Sequence, residues 1–348
     1  MMDFEDVTSI TMNKSNENLT TTSHGQGSGV LLNEQELKVF QATMSILCVL
    51  IVATNVLVCL LVYINKNIRS FTNGFVVSLA ISDTMMGAIF FPVHLAVPDF
   101  SGIGYMTAIS LLLGVSNVCC VTYDRYLSIS SPLTYTMDIQ QLFKRMIIAC
   151  WSVPILFSLI PVIWDNNSYL IAHKVYIFIL EIGGVIIPYA FVFAVYFYIF
   201  KQVQKCSNRL RTELSDQQTV QTKKRRLFFE LKVARVFITI ASVFLLCWAP
   251  LLYITTAVTL GRSDLVPEVL SVIAFYMLAI ESLINPLIYC FLKPDIQSAI
   301  RRTLRKTWRR DVTIRFHSKA AESAGIIIGT SNTNLRNCHN SNEHINAI

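Results

Sequence analysis

The chain is 348 residues long, 53% apolar and only 15% charged, with a mean hydropathy of +0.51. Two soluble domains could be made from that length, but so little charge fits a polytopic membrane protein instead. A net charge of +7 would suit nucleic acid, yet the lysines and arginines fall between apolar runs, where they report topology, so nucleic-acid binding is set aside.

Residues 1–37 are acidic and rich in Asn, Ser, Thr and Gly, which predicts a disordered extracellular N-terminus. No signal-peptide core precedes the first apolar run, so that run is expected to act as its own insertion signal. Asn13, Asn18 and Asn166 each open an Asn-X-Ser/Thr triplet and are glycosylation acceptors if they face outward. Seven apolar stretches follow, at 38–64, 71–96, 102–129, 145–165, 173–200, 228–259 and 267–292. Each is near the roughly 20 residues that span a bilayer. The fold class is therefore all-α: a seven-transmembrane helix bundle over 38–292.

The third stretch is the least uniform, with Gly102, Gly104, Thr107, Ser110, Gly114, Ser116 and Asn117. Small and polar residues suit a helix enclosed by other helices. Lys66, Arg69, Lys144, Arg145 and the run Lys223-Lys224-Arg225-Arg226 lie in alternate connections. The opposite connections hold only Lys174 and Arg262 as cations. Positive-inside bias then places the N-terminus outside and the C-terminus in the cytosol, as in a multi-pass plasma-membrane protein. Residues 293–310 put Ile296, Ala299, Ile300 and Leu304 on one face among several arginines, an amphipathic helix suited to membrane lipid. Residues 311–348 read as a disordered cytoplasmic tail. None of the nine cysteines falls in an outward segment, so no extracellular disulfide is expected, and no Cys/His cluster has metal-ligand spacing.

The third stretch ends in Asp124-Arg125-Tyr126, where hydrocarbon gives way to cytosol. An arginine at that depth is costly unless paired, and so is a functional candidate. Asp124 can pair with it locally and Glu230 from another helix; the plain alternative is an arginine that only marks the cytoplasmic edge. Pro250 and Pro286 remove backbone donors in mid-helix and permit kinks. A kink beneath Trp248 offers a pivot for the cytoplasmic half of span six, the alternative being a tryptophan that only packs.

These residues sit in a wider set. Asn55 lies in span one, Leu79-Ala80-Ile81-Ser82-Asp83 in span two, Trp151 in span four, and Pro188 with Tyr196 in span five. Phe244 and Cys247-Trp248-Ala249-Pro250 lie in span six, and Asn285-Pro286-Leu287-Ile288-Tyr289 in span seven. In order and spacing the chain resembles a rhodopsin-like (class A) G-protein-coupled receptor. The resemblance implies a non-enzymatic receptor, an unidentified extracellular ligand and a heterotrimeric G protein, with arrestin and a receptor kinase as further partners. It implies that Arg125 is locked in the resting state and met by Tyr196 and Tyr289 after span six swings out. It also implies that Leu133 docks on the G protein.

The departures are as specific. The family's usual disulfide cysteine in span three is matched by Phe100, and the second outer loop has no cysteine. Thr107 stands where amine receptors carry an aspartate. Glu181 is then the one acid expected near an outer cavity, and with Thr107 and Trp248 it forms the candidate ligand set; the alternative is an acid paired to a neighbour. Glu281 replaces the family's usual asparagine in the polar cavity around Asp83, Asn55 and Ser282, and Gly114 replaces its usual serine. That cavity makes a sodium ion the one candidate cofactor, against a shared proton or a glutamate that simply hydrogen-bonds. A transporter reading lacks an inverted repeat, and a non-signalling scaffold should have lost parts of a coupling machinery that is intact here.

Overall fold

The structure, a computed structural model, describes residues 33–97, 100–164, 170–212, 217–303 and 305, and side chains throughout these except at 206–212, 217–227, 229–231, 233 and 268. The tails, Asn13, Asn18 and Asn166 lie outside the described residues. Every regular element described is helical. Seven helices are long and apolar enough to cross a membrane: α1 Glu34–Ile64, α2 Phe71–Ala96, α3 Ile103–Ser130, α4 Tyr135–Trp164, α5 Ile171–Lys205, α6 Ala234–Thr259 and α7 Val269–Leu292. Hydrocarbon supplies no partner for backbone polar groups, so an apolar run of this length must satisfy them within its own helix.

The helix starts are written locally. Glu36 accepts from the Asn33 backbone N–H at 3.0 Å, one arm of a capping box at the head of α1. Ser70 caps α2 by accepting from the Asn73 N–H at 3.2 Å.

Two starts fall well ahead of the apolar runs. Helix α4 begins at Tyr135 rather than 145 because the intervening turns are amphipathic. Ile139 is fully buried, and the Phe143 ring lies 5.3 Å from Phe71 and 5.0 Å from Phe75 of α2. Gly74 leaves the room that Phe143 fills. The α6 helix continues back to Gln217; its polar turns are rich in Gln, Lys and Arg, good helix formers that a hydropathy reading passes over.

The bundle is built around α3, which packs against α2, α4, α5 and α6. Half of its most apolar window is buried (50%), against 22% for α4, which accounts for its small and polar residues. Single π-helical turns interrupt α2 at Met86–Phe90 and α5 at Ile182–Ile186. Such turns rotate the residues beyond them and concentrate at functional places. Pro154, Pro250 and Pro286 lie inside α4, α6 and α7. The chain divides into a unit from Met1 to Gln297, which holds the bundle, and a unit from Ser298 onward, whose described residues are helical.

Candidate functional site

At the C-terminal end of α3, Arg125 and Asp124 form a buried ion pair. The guanidinium donates to Asp124 Oδ2 from Nη2 at 2.6 Å and from Nε at 3.1 Å, with Arg125 only 5% exposed. Asp124 is held from two further helices. Thr72 of α2 donates to Oδ2 at 2.7 Å and Tyr135 of α4 donates to Oδ1 at 2.8 Å. Arg125 also donates to the Thr72 hydroxyl. A buried charge held this way is expensive to break, because removing one partner strands the other. Glu230 lies on the α6 helix, but its side chain falls outside the described residues. Leu133, in the turn between α3 and α4, is 97% exposed.

Beneath this pair, Thr122 donates to the Tyr196 hydroxyl at 3.5 Å. Tyr289 is fully buried, and its hydroxyl has no hydrogen-bond partner among the described residues.

In mid-bundle, one amide joins two acids. Asn285 Nδ2 donates to Asp83 Oδ2 at 3.0 Å and to Glu281 Oε1 at 2.9 Å. Ser282 reaches Glu281 Oε2 at 3.4 Å, and Asn55 donates to the Ser282 carbonyl at 3.0 Å. The structure therefore gathers Asn55, Asp83, Glu281, Ser282 and Asn285 into one cluster. Gly114 faces away from this role: its missing side chain leaves room for the Phe244 ring. Phe244 stacks on Trp248 at 5.5 Å and on Tyr189 at 5.9 Å. Trp248 is 2% exposed and sits in this aromatic column.

In the N-terminal part of α5, both oxygens of Glu181 accept from α6: Oε1 from Thr255 and Oε2 from Thr256 at 2.9 Å. Glu181 is 8% exposed and forms no ion pair among the described residues. Thr107 turns its hydroxyl back onto the Ile103 carbonyl at 2.9 Å and so offers no carboxylate substitute. Between the end of α4 and the start of α5, Trp164 donates to His173 Nδ1 at 3.3 Å and packs edge-on against Tyr176 at 6.1 Å. The cysteines at 48, 59, 119, 120, 150, 247 and 290 are free thiols. No three metal-binding side chains are grouped to hold a metal among the described residues.

The profile of the 7 transmembrane receptor (rhodopsin family) matches residues 54–289, about two thirds of the chain. The chain belongs to that family. The octopamine receptor beta-2R of Chilo suppressalis is 28% identical over 306 residues, covering 74% of this receptor and 78% of that one. The histamine H2 receptor of Cavia porcellus is 24% identical over 295 residues, covering 76% and 80%. The crystal structure of squid rhodopsin superimposes with a TM-score of 0.70 at 19% identity, covering 79% of this receptor and 87% of that chain, a likeness of fold. Members of this family are receptors rather than enzymes, and seven spans make this one a multi-pass protein of the plasma membrane.

Several contacts of the candidate residues were not legible beforehand. Thr72 and Tyr135 share Asp124 with Arg125, and Thr255 and Thr256 hold Glu181. The local signal for them was thin: a hydroxyl on an apolar helix, which is as often satisfied by its own backbone. Trp151 donates to Ser78 at 3.0 Å and joins α4 to α2, which makes it a packing residue rather than part of the switch.

Proposed function

We propose that this receptor transmits an extracellular signal to a heterotrimeric G protein by outward movement of α6. The observation that carries the reading is the buried Asp124–Arg125 pair standing beside the fully solvent-facing Leu133. A charge pair enclosed by three helices is freed only when a helix moves, and the exposed Leu133, two residues before the Tyr135 that holds Asp124, is the docking point offered beside it. With α6 inward, Glu230 adds to the hold on Arg125. With α6 outward, Tyr196 and Tyr289 turn toward the freed guanidinium, while Pro250 and Trp248 provide the pivot. The N-terminus is outside and the C-terminus inside, and the cytoplasmic tail is the surface for arrestin and a receptor kinase.

The ligand class is a small protonated amine, held by Glu181. Its support is a nearly buried carboxylate that has hydroxyl partners but no cation, in a receptor whose relatives are named for octopamine and histamine. The carboxylate has moved from α3, where Thr107 stands, to α5. A sodium ion or a proton between Asp83 and Glu281 supports the resting state. A transporter reading has no broken-helix pair in its favour, and a silent scaffold does not need the intact Asp124–Arg125 pair.

The test is a second-messenger panel on cells expressing the receptor, first without ligand and then with a series of biogenic amines. Basal coupling that disappears in Arg125→Ala supports the switch. An amine response that falls roughly 10–100-fold in potency in Glu181→Gln, with basal coupling intact, supports the amine site. No coupling to any G protein at normal surface level would remove the reading.

A further inference from the structure

Lys293 directly follows α7 at the cytoplasmic end, where a lysine ordinarily stretches its amine into water. Here the residue is 2% exposed. Its amine donates to Asn73 Oδ1 of α2 and lies 3.4 Å from Asp295 Oδ2. That carboxylate oxygen is already engaged by Asn73 Nδ2 at 2.8 Å. The Phe237 ring of α6 covers the amine from above, with its centroid 5.8 Å away. An ion pair of 3.4 Å is long beside the ~2.7–2.9 Å of a strong charge-assisted bond, and an aromatic face is a weak replacement for water. The charge is enclosed but only partly compensated. Burial outweighs the attraction of Asp295 and pulls the amine from its ordinary 10.5 down to about 8. Among the described residues, the charged groups acting on it are Asp295 beyond α7 and, at longer range, Arg125 and Asp124 of α3, which oppose each other. Among the same residues, α2 contributes the neutral Asn73 and α6 the apolar Phe237.

We propose that Lys293 is a loaded charge that favours outward movement of α6, enclosed under Phe237 when the cytoplasmic mouth is closed and rehydrated when α6 carries that ring away. The proposal rests on the reading that this receptor opens at α6, and it adds a driving element separate from the Asp124–Arg125 pair. Its sign is opposite to that of a lock. The closed state holds the lysine's proton less tightly than the open state does, so opening takes up a proton. The bias toward opening is fully present well below pH 8, declines as pH rises through the closed-state value, and vanishes above the value of a hydrated lysine. With about 8 for the closed state and about 10.5 for the hydrated one, the open-to-closed ratio falls about tenfold between pH 7 and pH 9.

The experiment uses the full-length receptor in lipid nanodiscs, without ligand or G protein. An environment-sensitive fluorophore is placed at Phe228→Cys, an exposed position on the cytoplasmic extension of the α6 helix, with Cys206 and Cys338 changed to serine. The expected result is an open-state signal that declines about tenfold from pH 7 to pH 9. Lys293→Arg keeps the high signal and abolishes the pH dependence, because a guanidinium does not titrate in this range. Lys293→Met gives a low signal at every pH. A higher open signal in Lys293→Met would make the lysine a lock and overturn the proposal, as would a wild-type signal that ignores pH. Should Lys293→Met fail to fold, the comparison of wild type with Lys293→Arg decides alone. A signal that no variant moves, Glu230→Ala included, would mean that α6 does not open, overturning both this proposal and the reading beneath it. An intact fluorescence pattern in a receptor that activates no G protein would leave the loaded charge standing and remove only the coupling.

Discussion

The ring of Phe244 on α6 occupies the place where Gly114 on α3 has no side chain: a Cβ built there would overlap it. Phe244 in turn stacks on Trp248, one turn nearer Pro250. The pivot proposed for α6 is therefore seated in a notch in α3. Gly114→Ala is expected to unseat the ring and raise basal signalling several-fold, since overpacking a filled site costs about 1–3 kcal/mol and the cost falls on the closed state. Phe244→Leu in the same chain should restore the wild-type level. Second-messenger output at matched surface level checks both, and a double variant as active as Gly114→Ala alone would show that the ring is not the element displaced.

Tyr135 joins α4 to the ion pair through one part-buried hydrogen bond to Asp124. Tyr135→Phe removes that bond and keeps the ring. The expected loss is about 0.5–1.5 kcal/mol from the closed state, or a two- to tenfold rise in basal output. Thr72→Val should act in the same direction, and the two effects should exceed their sum when combined, because both hydroxyls serve one carboxylate. A double-variant cycle on basal signalling measures this, and strict additivity would separate the two contacts.

Asp83 and Glu281 share the amide of Asn285, and among the described residues neither forms an ion pair with a lysine or arginine. Two enclosed carboxylates at such range need a proton or a metal cation between them. Glu281→Gln removes one and should abolish whichever dependence the wild type shows, on sodium concentration or on pH. Basal and stimulated signalling across both variables is the measurement. Identical responses of wild type and Glu281→Gln would reduce Glu281 to an ordinary hydrogen-bonding partner.

Trp164 at the end of α4 meets His173 and Tyr176 of α5 through a hydrogen bond and a ring contact, and the described cysteines are free. A membrane-impermeant reductant is expected to leave surface level and signalling unchanged. Trp164→Ala, by contrast, should lower thermal stability by about 1–3 kcal/mol through lost aromatic packing and an orphaned histidine acceptor. Thermal inactivation in detergent would check the second effect, and a clear response to the reductant would contradict the first.

The amino-acid order alone determined the seven spans and the family, and it singled out the candidate switch residues. Hydropathy, helix length and capping are properties of contiguous segments, and the motif residues announce themselves by type and spacing. It also identified the departures, Thr107, Glu181, Gly114 and Glu281, as replacements at known positions. What those replacements touch was decided only by the tertiary structure. Thr72 meets Asp124 across fifty-two positions of sequence and Asn285 meets Asp83 across two hundred and two, and each contact depends on how far two helices are rotated about their own axes. Gly114 reads as a lost polar ligand until α6 is docked and Phe244 is found in the gap. Lys293 reads as one more basic residue at a helix end. Only the closing of Phe237 over it, with Asn73 below, turns an ordinary cytoplasmic lysine into an enclosed charge.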